Sequence, residues 1–315
     1  MALVVDFSSH VFPNRLGKFE VFPSQWFAQL KSQARHWAKP IANSIHEAQT
    51  VFRYLPKLAK ESLDSVGTAL QFPSLLIEST RADLLAAMNE AQVNQAVIIA
   101  QPPYISNEFV LALASENLNL IPVVRIPKTH KHPKQALKSF VRKGARALKI
   151  HPALEGEGVS SSHYQILIRA AGDYGLPVII HTGHIQSRLF YRSPQQGRAE
   201  NFVKWFKEYP KIQFILAHMN MHEPNIALSL CEQFSNLWVD TACQPAEMIG
   251  EAVRRIGPER VLFATDWPFI GNNMLLGRQR IQKAVEAALL THAESELILG
   301  ENALKLLGSR ASQRR

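Results

Sequence analysis

The stretch VDFSSH, Val5 to His10, brings an aspartate, two serines and a histidine to the end of the apolar run Leu3-Val4-Val5. Its spacing is that of an Asp-x-His-x-His metal signature with Ser8 in the place of the first histidine. Other apolar runs end the same way: Arg125 closes LIPVVRI, Lys149 and His151 close ARALKIHP, His181 lies in LPVIIHTG, His218 in IQFILAHM and Asp266 in RVLFATDW. Each has an ordinary reading alone, since a backbone carbonyl can satisfy a histidine and an aspartate near a proline often marks a turn. Taken together, they ask for one explanation. Imidazoles and a carboxylate at converging strand ends are the donors a divalent ion needs, neutral nitrogens suiting zinc and a carboxylate oxygen offsetting charge. Such an ion lowers the pKa of a bound water or polarises a substrate oxygen.

The elements that would position these residues are legible in the hydrophobic rhythm. Short runs rich in Val, Ile, Leu and Phe recur at 3–10, 96–100, 120–126, 145–152, 176–183, 212–219, 237–242 and 260–267. Between them lie stretches long enough for a helix, among them Asn107 to Asn117, Tyr164 to Tyr174, Phe202 to Tyr209 and Pro245 to Ile256, several ending near Gly or Pro. Eight such repeats in 315 residues predict a (β/α)8 TIM-like barrel, with a doubly wound sheet as the alternative. In the barrel the active site lies at the carboxyl ends of the strands, where the polar residues above cluster. The chain reads as a single barrel domain over 1–315.

One connection breaks the rhythm. After the first run, Trp26, Leu30, Trp37, Ile41, Ile45, Ala48, Phe52 and Leu55 recur at helical spacing, predicting a helical insertion at about 23–70. Lys31, Arg35, Lys39, Arg53, Lys57 and Lys60 then fall on exposed faces. They are either a solvated surface or part of a cap over the barrel mouth or an oligomer contact.

Composition narrows the function classes. A hydrophobic fraction of 46% with 19% charged residues describes a globular chain able to bury a core, which argues against long disorder. No apolar run approaches the roughly 20 residues of a membrane helix, and no signal peptide is evident, so a cytoplasmic protein with no membrane partner is expected. Cys231 and Cys243 are expected as reduced thiols. The net charge of +9 favours an anionic ligand, while the absence of a basic stripe with interleaved aromatics argues against nucleic acid.

The ordered set VDFSSHVFP, ALKIHP, VIIHTGH, FILAHMN and LFATDWPF, closed by ILGENALKLLG, resembles the amidohydrolase superfamily, and within it amidohydrolase family 2. That resemblance spans the barrel strands and the last helix but not the insertion. It implies a metal-dependent enzyme with one divalent ion, zinc first and manganese second, and it favours a homodimer. It implies His10, His181 and Asp266 as metal ligands, His218 as general acid or base, and Asp266 as a second proton carrier. Ser8 departs from the family pattern, because a neutral hydroxyl is a poor zinc ligand. Three outcomes follow: an ion held by the remaining three residues and waters, His151 as a replacement ligand, or a barrel that has lost its metal and only binds. Lys149 and Arg125 are candidate contacts for a substrate carboxylate or oxyanion, with His151 beside them; Lys149 paired to a neighbouring acid is the structural alternative. His184, Arg188 and Arg192 follow the fifth run and lie within reach of the mouth. The expected activity is hydrolysis of a C–O or C–N bond in a small anionic, carboxylated substrate. Non-oxidative decarboxylation, and ligand binding without catalysis, are the alternatives.

Overall fold

The apolar runs fold as strands in this computed structural model. It describes residues 3–13, 78–183, 191–269 and 274–308, and between 14 and 77 only 15–16, 19–20, 55–56, 58–60, 62–63 and 65–66. The helical insertion expected at about 23–70 therefore lies outside the described residues apart from those fragments.

Among the described residues, eight parallel strands hydrogen-bond in sequence order. They are β1 (Val5–Ser9), β2 (Gln95–Ile99), β3 (Leu120–Val124), β4 (Ala147–Ile150), β5 (Val178–His181), β6 (Phe214–Ala217), β7 (Leu237–Asp240) and β8 (Val261–Leu262). The chain after β8 returns to β1: the Phe7 amide donates to the Phe263 carbonyl at 2.8 Å, and the His10 amide to the Trp267 carbonyl at 2.7 Å. That seam joins the two ends of the sheet into a TIM barrel, leaving no exposed edge.

Helices lie between the strands: α1 (Arg81–Glu90), α2 (Asn107–Glu116), α3 (Pro133–Arg142), α4 (Ser162–Asp173), α5 (Val203–Glu208), α6 (Pro224–Gln233), α7 (Ala246–Ile256) and α8 (Met274–Glu286). Their starts follow local chemistry. Thr80 and Asp83 form a capping box on α1, and Ser106 and Ser161 accept the third amide of α2 and α4. None of the described helices is long and apolar enough to cross a membrane.

Strand alternation divides the core into two layers. Ile98, Leu148, Ile180 and Leu216 pack outward against Leu84, Val110, Ile168 and Ile249 of the helices. Val5, Phe7, Val97, Ile99, Val123, Ile179, Ile215 and Leu262 fill the barrel interior. The last helix, Asn302–Leu307, adds Ala303 and Leu307 to that interior and closes its amino end. The carboxyl end is left to polar side chains.

β1 departs from strict alternation in a way that matters for the site. Phe7 belongs to the interior layer, yet Ser8, the next residue, reaches Asp266 at the mouth. The register of β1 against β2 shifts between Asp6 and Ser9, and this bulge re-aims the following side chains. Ser8 and His10 thereby both face Asp266.

Candidate active site

Asp266 sits just beyond β8 with a left-handed backbone (φ 58°). Its Oδ1 accepts the Ser8 hydroxyl at 3.3 Å and faces His10 Nε2 at 3.4 Å. Burial alone would raise its pKa, but His218, the hydrogen bond from His10 and the Lys149 ammonium outweigh it and hold the carboxyl below its ordinary value. Asp266 is thus an ionised carboxylate at neutral pH. On the other side of His10, Nδ1 is buried with no hydrogen-bond partner among the described residues.

Behind this pair, Asp6 anchors the tip of β1. Its carboxylate accepts the Ser8 amide (3.2 Å), the Ser9 hydroxyl (2.7 Å), the Thr265 amide (2.9 Å) and the Thr265 hydroxyl (2.7 Å). It fixes β1 and the Asp266 segment against each other.

His181 ends β5, and His218 directly follows β6. His218 Nε2 lies 3.2 Å from His181 Nδ1, so one of these nitrogens donates to the other. Burial pushes the His218 pKa down to about 4, so the ring is neutral at pH 7. Residues His218 to Met221 all have positive φ (60°, 46°, 64° and 54°), a strained run for non-glycine residues. It is held by main-chain contacts: the His218 amide donates to Asp240 Oδ1 at 2.8 Å, and its carbonyl accepts Gln244 Nε2 at 2.8 Å.

His151 follows β4 and stacks on His181 with ring centroids 3.8 Å apart, while Tyr191 stacks on both. Its Nδ1 accepts the Leu154 amide at 3.3 Å, so the neutral ring carries its proton on Nε2. Burial first, then Arg125 and Lys149, push its pKa well below that of free histidine.

Two cations were expected to meet a substrate anion, and their surroundings differ. Arg125 Nη2 donates to Glu155 Oε1 at 2.5 Å and Nη1 to the Pro102 carbonyl at 3.2 Å, while Tyr164 donates to the other Glu155 oxygen at 3.1 Å. Its fork is occupied inside the protein. Lys149 is buried on β4, and among the described residues no carboxylate lies within ion-pair distance of its ammonium. Burial lowers its pKa, opposed by Asp240 and Asp266. Of the other residues expected at the mouth, His184 and Arg188 lie outside the described set, and Arg192 is exposed.

Asp240 is a site residue that the sequence reading did not single out, although it ends the run LWVDTA much as Asp266 ends its own. Its Oδ1 accepts the amides of His218 (2.8 Å) and Ala242 (3.1 Å), and its Oδ2 is buried without a partner among the described residues. Burial pushes its pKa up, opposed by those hydrogen bonds and by Lys149.

A tetrahedral zinc with bonds of about 2.1 Å places its ligand atoms roughly 3.4 Å apart. The His10 and Asp266 pair has this spacing, but the expected set goes no further. Among the described residues, no three His, Cys, Asp or Glu side chains are grouped to hold an ion. Ser8 offers a hydroxyl that hydrogen-bonds Asp266, His181 turns Nδ1 to His218, and His151 has its Nδ1 lone pair engaged and a proton on Nε2. These side chains as arranged do not fit a three-donor metal centre.

The solved structures that share this fold include 5-carboxyvanillate decarboxylase from Sphingomonas paucimobilis, with TM-score 0.64, 13% identity, and 98% of this chain and 99% of that chain covered. A second is a probable 2-pyrone-4,6-dicarboxylic acid hydrolase from Acinetobacter baumannii with citric acid bound, with TM-score 0.58, 13% identity and coverage of 97% and 99%. A third is an amidohydrolase from Burkholderia multivorans with bound zinc, with TM-score 0.62, 11% identity and coverage of 97% and 99%. No curated protein matches the chain in sequence. The family model described as Amidohydrolase, however, matches residues 80–309, from the cap of α1 to the end of the last helix. On that match, which covers well over half of its length, the chain belongs to the amidohydrolase family.

Proposed function

We propose that this barrel hydrolyses a C–O or C–N bond of a small carboxylated substrate bound at the carboxyl ends of its strands. The observation that carries the proposal is a strand-tip Asp266 carboxylate held below its ordinary pKa together with a buried Lys149 ammonium that has no carboxylate within ion-pair distance among the described residues, beside the neutral imidazoles of His151 and His218. The names of two fold relatives, a probable dicarboxylic acid hydrolase and a carboxyvanillate decarboxylase, support an anionic substrate.

In this reading Asp266 accepts a proton from water as the water oxygen bonds to the substrate carbonyl carbon. Lys149 donates a hydrogen bond to the carbonyl oxygen as negative charge develops there. The bond from that carbon to the leaving oxygen or nitrogen then breaks, and the leaving atom takes the proton that Asp266 acquired. His218 is neutral, and its hydrogen bond to His181 positions it to relay that proton. His10 and Ser8 orient Asp266 through its Oδ1. His151 lines the same pocket beside His181 and meets the substrate through its Nε2 proton.

The test is a panel of lactones, esters and amides carrying one or two carboxylates, followed by NMR. Hydrolysis of at least one is expected, with Asp266→Asn folded but slower in kcat/KM by about a thousandfold or more. Rate should fall as pH rises through the lowered Lys149 pKa, because the ammonium is the active form. Carbon dioxide release without a hydrolysed product would replace this reading with decarboxylation. Full activity in Asp266→Asn would refute the assigned base.

A further inference from the structure

We propose that the barrel holds no resident divalent ion at its strand tips, that Ser8 is what empties the position, and that the Lys149 ammonium is the cation of the site. The inference rests on the hydrolase reading only for what this cation does to a substrate. Metal content and protein melting are measured without turnover, so either can fail alone.

Three contacts carry the argument. A histidine in place of Ser8 would present a nitrogen to the Asp266 oxygen that His10 also faces, completing a three-donor group; the serine instead donates its proton to that oxygen. His10 and Asp266 therefore close on each other at 3.4 Å with no third His, Cys, Asp or Glu grouped beside them among the described residues. The imidazoles that could substitute are not grouped with that pair among the described residues. His181 Nδ1 pairs with His218 Nε2, and His151 accepts the Leu154 amide through Nδ1, which leaves a proton rather than a lone pair on Nε2.

Asp266 and Asp240 follow neighbouring strands, and among the described residues Asp240 Oδ2 is buried without a hydrogen bond. Lys149 is buried on β4 with no carboxylate within ion-pair distance among the described residues, and Asp240 and Asp266 oppose the lowering of its pKa by burial. Arg125, also buried, is neutralised by Glu155 at 2.5 Å. A dication placed between Asp266 and His10 would face this ammonium in a low-dielectric pocket, where like charges repel far more than in water.

The experiment uses zinc alone as the probe. The chain is expressed in zinc-supplemented medium, dialysed and analysed for metal, then melted with and without added zinc. Wild type is expected to be folded, to retain less than about a tenth of an equivalent and to melt unchanged with zinc, whereas Ser8→His retains about one equivalent and melts higher with it. Ser8→Cys, which adds a thiolate donor without bulk, gives the same readout should the histidine variant not fold. The double variant Ser8→His with Lys149→Met should bind zinc at least about tenfold more tightly than Ser8→His, because the opposing charge is gone. Wild type retaining one zinc per chain, or melting higher with zinc, overturns the proposal. Folded Ser8 variants that gain no zinc overturn the role of Ser8. Equal zinc affinity in the single and double variants overturns the role of Lys149.

Discussion

Asp6 is a fully buried carboxylate stitching β1 to the segment after β8, and replacing it with asparagine measures what its charge costs. Four hydrogen bonds converge on it: Oδ1 takes the fixed amides of Ser8 and Thr265, and Oδ2 takes the rotatable hydroxyls of Ser9 and Thr265. Even so, burial raises its pKa from 3.8 to about 6. At 1.36 kcal/mol per unit, that gap is about 3 kcal/mol against the ionised form in the folded state. The sign follows from proton counting. Between pH 4 and 6 the folded chain holds a proton that the unfolded chain has released, so stability declines as pH rises through that window and the full penalty is present above it. An asparagine oxygen can keep the two amides, and its NH2 can donate to the two hydroxyls once they rotate. Asp6→Asn should therefore be more stable than wild type by about 1–3 kcal/mol at pH 7.5, with the difference shrinking toward zero near pH 4. Urea unfolding of both proteins at several pH values between 4 and 7.5 reads this difference directly. Asp6→Ala should be destabilised at every pH, because two buried amides lose their acceptor at about 1–3 kcal/mol each. An Asp6→Asn variant less stable than wild type at pH 7.5, by a gap that does not change with pH, would refute the reasoning and show that the ionised form is net stabilising.

Two further outcomes follow from packing. Glu155→Leu strands a buried Arg125 without its counter-ion and should lower stability by about 3–5 kcal/mol, read as a loss in Tm, whereas a neutral result would mean the guanidinium finds solvent. Gly300→Ala places a methyl group on the Leu3 carbonyl and 2.9 Å from its carbon, where β1 meets the C-terminal segment; a cost of about 1–3 kcal/mol in urea unfolding is expected, and an unchanged midpoint would contradict that close approach.

The barrel was legible because its strands are buried on both faces and so appear as uninterrupted apolar runs. Each run overlaps one of the eight strands, and the helix expected at 107–117 forms over Asn107–Glu116, with Ser106 supplying the cap. The strand-tip residues followed from the same logic, since a polar residue ending such a run must stand at the mouth. Pairing was not legible. Glu155 lies in a short helical turn after β4, with nothing in its spacing to connect it to Arg125, and only the fold brings the two together. The bulge in β1 was equally hidden, because a register shift leaves no mark on hydrophobic alternation until the partner strand is known. Asp240 could have been found by applying to LWVDTA the rule that singled out Asp266.

The distribution of strain bears on whether this barrel catalyses or merely binds. Four consecutive left-handed residues follow β6 and one follows β8, at His218 and Asp266, the two groups to which proton transfer is assigned. Non-glycine residues in that region cost on the order of 1 kcal/mol or more each, and persist only where surrounding contacts hold them. The contacts here are specific: Asp240 and Gln244 fix the main chain of His218, and Asp6 fixes the segment leading to Asp266 through Thr265. The buried polar atoms without partners among the described residues include His10 Nδ1, His218 Nδ1 and Asp240 Oδ2 at the strand tips, each at about 1–3 kcal/mol if left unpaired. A binding pocket for a carboxylated ligand needs Lys149 but none of this. A site that must hold a neutral imidazole and an ionised carboxylate at fixed positions needs all of it, and that requirement favours catalysis over simple binding.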